Sequence, residues 1–111
     1  MSHYFTVSTG LRGCYMPDNS VELRVDTRRE LRDYVLSELR DLQDAGFIIS
    51  KREAIATVAD IWRNLKAPRR SPYAFVVPYG WRNSRGAGVN KCNAIHINHS
   101  TRADWLASQE D

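Results

Sequence analysis

Two capping boxes, 23 residues apart, do most to limit what this chain can fold into. Thr27-Arg28-Arg29-Glu30 and Ser50-Lys51-Arg52-Glu53 each place a hydroxyl three residues before a carboxylate. In such a box the hydroxyl accepts from the amide three residues on, and the carboxylate reaches back to the cap. After the first, Leu31, Val35, Leu39 and Leu42 recur at helical spacing, with Tyr34 at the edge of the stripe. After the second, Ile55, Val58, Ala59, Trp62 and Leu65 supply an apolar face. Gly46 fits the left-handed position that ends the first helix, and Pro68 stops the second. A connection this short makes the two helices antiparallel neighbours, and each stripe needs a surface to cover.

That surface is a sheet. Val21 to Asp26 alternates strictly, with Val21, Leu23 and Val25 on one face, and Tyr4 to Thr9 is rich in β-branched and aromatic residues. Ala74 to Tyr79 reads as a third strand, with Pro78 implying an edge or a strand end. Ala94 to Asn98 reads as a fourth, with Ile95 and Ile97 inward. Thr101 and Asp104 cap a short terminal helix carrying Trp105 and Leu106. The expected order is ββααββα over residues 1–111, one α+β domain with an αα-hairpin on one face of a small, mostly antiparallel sheet. Gly10 to Ser20 and Gly80 to Asn93 are the long loops, and loops of such length are disproportionately functional. A helix-turn-helix reading of the hairpin fares worse. Beyond Lys51 and Arg52 the second helix has few long polar groups to read base edges.

Charge is uneven along the chain. The 111 residues carry +3 overall, but residues 63–91 hold seven cations and no acid. The parts before and after are each net −2. A single-sign stretch of this kind attracts an anionic partner, either nucleic acid or an acidic protein surface. Its cations, Arg63, Lys66, Arg69, Arg70, Arg82, Arg85 and Lys91, are interleaved with Trp62, Tyr73, Phe75, Tyr79 and Trp81. Basic grooves with aromatic platforms suit single-stranded nucleic acid, and Trp, Tyr and Arg also dominate protein interface hot spots. The candidate partner-binding residues are therefore those seven cations with Tyr79 and Trp81 as anchors. The plainer alternative puts Trp62 and Phe75 in the core and leaves the arginines as a solvated surface.

No strong catalytic or metal signature is present, and no catalytic residue, metal or cofactor is expected. Cys92, His96 and His99 have C-x3-H-x2-H spacing, to which Cys14 or His3 could add a fourth zinc ligand. On a strand, however, positions 96 and 99 face opposite ways. The same histidines with Lys91 or Arg85 could form a metal-free ribonuclease site, one imidazole as base and one as acid, but nothing in their spacing distinguishes this from chance. Cys14 has no sequence-near base, and the two cysteines read as free thiols. No apolar run approaches the ~18 residues of a membrane helix, and Met1 to Phe5 has no secretory pattern, so the expected location is the cytoplasm.

The string Ser8-Thr9-Gly10-Leu11-Arg12-Gly13-Cys14-Tyr15-Met16-Pro17-Asp18 resembles small uncharacterised proteins of bacteriophages and prophages. Asp26 to Leu31, Asp44 to Phe47 and Ser50 to Arg52 extend the similarity over roughly the first 60 residues. The resemblance implies a mobile genetic element in a host bacterial cell and brings no assigned activity. In size and setting the chain is similar in kind to anti-CRISPR proteins and other host-takeover inhibitors. Its basic charge disfavours DNA mimicry. The expectation is a non-enzymatic, anti-CRISPR-like inhibitor that sterically blocks a bacterial protein or ribonucleoprotein complex, such as a CRISPR effector. A nucleic-acid-binding regulator is the alternative, and a small ribonuclease a weaker one. The Pro78 edge leaves a homodimer open.

Overall fold

In the first strand, β1 (His3–Thr9), Phe5, Val7 and Thr9 are buried and the residues between them are not, so one face of the strand carries the core. These observations come from a computed structural model, which describes residues 2–9, 19–66, 73–82 and 94–109. Strand β2 (Asn19–Val25) pairs antiparallel with β1, setting Leu23 opposite Phe5 and Val21 opposite Val7. The last strand, β6 (Ile95–Ser100), pairs with the other side of β1, with Ile97 opposite Val7. Strand β4 (Tyr73–Val76) lies outside β6, so the sheet runs β2-β1-β6-β4 with every neighbouring pair antiparallel. This is the α+β architecture that the sequence pattern requires.

Helix α1 (Arg28–Asp44) begins at the Thr27 cap, whose hydroxyl accepts from the Glu30 amide at 3.2 Å. The Glu30 carboxylate reaches back one residue further than the simple box, accepting from the Asp26 amide at 3.4 Å. Leu31, Val35, Leu39 and Leu42 are buried as their spacing predicts. The helix ends through Ala45 and Gly46, and Gly46 has φ 108°, which L side chains rarely adopt. Helix α2 (Lys51–Arg63) starts where Ser50 accepts from the Glu53 amide at 3.1 Å. Its buried face is Ala54, Val58 and Ile61, and Ile55 is 39% exposed. That corrects the expected stripe by one position. The helix turns its small Ala54 inward so that it can lie close to α1 and β4, both of which it packs against. A 3-10 turn, Asn64–Lys66, follows, and Pro68 lies outside the described residues.

Two short strands were not expected. Phe47–Ile48 (β3), read as part of the interhelical connection, pairs antiparallel with Gly80–Trp81 (β5). The continuous strand expected from Ala74 to Tyr79 is therefore broken. Buried Pro78 has no N–H to extend a ladder, β4 stops at Val76, and the chain crosses to the end of the helical hairpin instead. Helix α3 (Arg102–Gln109) is capped by Thr101, which accepts from the Asp104 amide at 3.1 Å. It packs against β2 and β1. No helix among the described residues is long and apolar enough to cross a membrane.

Candidate partner-binding face

The predicted anchor Trp81 and the predicted cation Arg82 are engaged within the protein. The Trp81 ring stacks on Phe47 at 5.7 Å and 18°, and its indole N–H donates to the Ala45 carbonyl at 3.2 Å. The Arg82 amide donates to the Gly46 carbonyl and its guanidinium to the Gln43 carbonyl, both at 2.8 Å. Carbonyls at a helix C-terminus lack helical partners and carry the negative end of the dipole, so a cation there is stabilising. This pair clamps the end of α1. Tyr79 is 69% exposed, although its amide donates to the Ile48 carbonyl at 2.8 Å.

The predicted cations do not gather among the described residues. Arg63 is the exposed last residue of α2 and pairs with Asp60 one turn earlier. Arg82 sits at the other end of the helical hairpin, beyond the start of α2, and a 13-residue helix puts about 18 Å between its ends. Lys66 ends the 3-10 turn. Arg69, Arg70, Arg85 and Lys91 lie outside the described residues, as do Cys14, Cys92 and most of both long loops.

What the sheet does bring together is an aromatic cluster on the face turned away from α1 and α2. In β4, Ala74 and Val76 point to the helices, while Tyr73 and Phe75 stand on the opposite face, 54% and 47% exposed. Register places Phe75 opposite His96 and Tyr73 opposite Asn98 on β6. The rings of Tyr73, Phe75 and His96 are each 6.0 Å from the other two, tilted by 31–45°. The Tyr73 hydroxyl hydrogen-bonds His96 Nδ1, joining the two strands. Aromatic contacts at such separations are favourable in tilted arrangements as well as stacked ones.

Toward the other edge the same face turns polar. Ser8 and Thr6 lie opposite His96 and Asn98 on β1, and Ser20 and Glu22 come next on β2. Both Glu22 oxygens accept hydroxyls, one from Thr6 at 2.5 Å and the other from Ser100 at 3.0 Å. Helix α3 closes the far end, where Trp105 lies 5.7 Å from Tyr4 and the Arg24 guanidinium sits 5.9 Å from the indole. The half of the face formed by β4 and β6 carries no acidic residue. Planar apolar groups can stack there, with the exposed Asn98 amide at hand to donate or accept hydrogen bonds.

Tyr73 and Phe75 were legible as part of an aromatic and basic stretch, and Phe75 is not in the core, where the plainer alternative put it. Trp62 matches the plain reading more closely: it is half-buried and packs against the core. Both alternating sets of β4 are apolar, Tyr and Phe against Ala and Val, so period alone does not say which faces in. The smaller pair is the one that lets α2 pack against the strand.

His96 and His99 fall on opposite faces of β6, as a spacing of three in a strand demands. His99 lies on the core side, its ring 5.5 Å from Phe5. Burial, and then the nearby His3, hold its pKa below the ordinary value. The two histidines therefore share neither a metal nor a proton. Among the described residues there is no group of three potential metal ligands.

No known protein family, curated protein or solved structure matches the chain.

Proposed function

We propose that this chain is a binding protein rather than an enzyme, and that its partner docks on the open sheet face at Tyr73, Phe75 and His96. One observation carries the reading. A domain this small holds two large aromatic rings half in water on a strand whose alternate residues, partly buried Ala74 and buried Val76, face the core. Two half-exposed rings leave roughly 200 Å² of surface that a partner could cover, worth about 5 kcal/mol before the costs of association. The strand lies inside the acid-free stretch 63–91, which suits an anionic partner.

The resemblance to phage and prophage proteins supplies the setting. In the cytoplasm of a host bacterium, the chain occupies a surface of a ribonucleoprotein defence complex, a CRISPR effector being the leading case, and blocks it sterically. The test is plaque formation by a phage targeted by active CRISPR immunity, in cells expressing the wild type or Tyr73→Ser plus Phe75→Ser. Wild type should restore plaques and the double variant, shown folded by its thermal melt, should not. Failure of the wild type across CRISPR types would remove the defence reading. Equal rescue by both proteins would move the contact off this face.

A further inference from the structure

Resting on that reading of the face, we infer that what it takes up is single-stranded nucleic acid, with unpaired bases laid on Tyr73 and Phe75 beside His96. Three features favour this occupant over a protein. The rings form a contiguous cluster 6.0 Å apart that is tilted rather than coplanar, so each offers a separate surface to a planar group. Only unpaired bases expose the π-faces that such rings can cover; in a duplex those faces are already stacked.

Charge points the same way. The β4–β6 half of the face has no carboxylate, and seven of the chain's 13 acidic residues lie on α1 and α2, across the sheet. Glu22, the acid on the remaining half of this face, lies two strands from β6 with both oxygens hydrogen-bonded. A polyanion can therefore approach along β4 and β6 without meeting a negative group on those strands. Beside the rings, the Asn98 side chain is exposed and placed to hydrogen-bond a base edge. The third feature is tolerance: stacking accepts any base, so no sequence-reading groups are needed.

The experiment is a fluorescence anisotropy titration of the full chain. The probes are labelled mixed-sequence 20-nucleotide single-stranded RNA, single-stranded DNA, and the DNA duplex of the same sequence, at low and physiological salt. Binding of at least one single strand, weaker binding of the duplex, and weakening with salt are expected. Tyr73→Ala and Phe75→Ala should each weaken binding by roughly 5- to 150-fold. Ile55→Ala, which removes an exposed apolar side chain from α2 across the sheet, should leave binding unchanged. Thermal melts confirm that the variants fold.

The RNA and DNA arms identify which strand is taken. Equal binding by wild type and both face variants, or duplex bound as well as single strands, overturns the inference in favour of general polyanion attraction. No binding by the wild type at low salt also overturns it. If the face variants nonetheless lose plaque rescue, the docking face stands with a protein on it. If they keep rescue, both readings fall.

Discussion

Replacing Trp81 by alanine separates a clamp from an anchor. The indole is 39% exposed, so roughly 60% of a ring of about 250 Å² is covered, or about 150 Å². At about 25 cal/mol per Å² this amounts to about 4 kcal/mol as an upper bound, which a compact unfolded chain and the remaining Cβ reduce. The hydrogen bond to the Ala45 carbonyl adds about 1 kcal/mol. The stack on Phe47 sits in a ribbon only two residue pairs long, which can peel away before the core opens. The expected cost of Trp81→Ala is therefore about 2–3 kcal/mol. Trp81→Phe keeps an aromatic face but no donor, and should cost about 1 kcal/mol. Urea unfolding should show a lower midpoint at unchanged slope, and the melting temperature of Trp81→Ala should fall by about 8–12 °C. If both variants stay within about 0.5 kcal/mol of wild type, Trp81 is not holding the end of α1. It would then be available as the partner anchor that its sequence context suggests.

Two further predictions concern the core edge and the hairpin. His99 has its pKa lowered from 6.5 by burial and by His3, so the unfolded chain takes up a proton that the folded one resists. Stability should be fully present above about pH 6.5 and be lost as pH falls from there toward the lower folded-state value. Urea midpoints followed from about pH 8 to 5 should show this decline, and His99→Gln should flatten it; an unchanged slope in the variant would show that another group is responsible. At Gly46, φ 108° is strained for any L side chain, so Gly46→Ala should destabilise by more than about 1 kcal/mol. An unaltered thermal melt would mean that the turn between α1 and β3 reforms without this geometry.

Much of the fold is present in short-range pattern. The caps at Thr27 and Ser50, the stripe from Leu31 to Leu42 and the alternation of Val21, Leu23 and Val25 each specify an element from residues a few positions apart. The opposition of His96 and His99 follows from the pleat alone. Such features are local, because hydrogen-bond spacing and side-chain period need no distant partner. Three decisions required the tertiary structure. The last strand of the sheet takes the place between β1 and β4. Trp81 and Arg82, read as exposed docking groups, close the end of a helix some 36 to 39 residues away in sequence. Tyr73 and Phe75 turn outward, making the aromatic face. In each case the local pattern allows two arrangements of similar merit, and the choice falls to close packing against a surface that only the assembled chain provides. Alternation supplies a period; the helix lying on the other side supplies the phase.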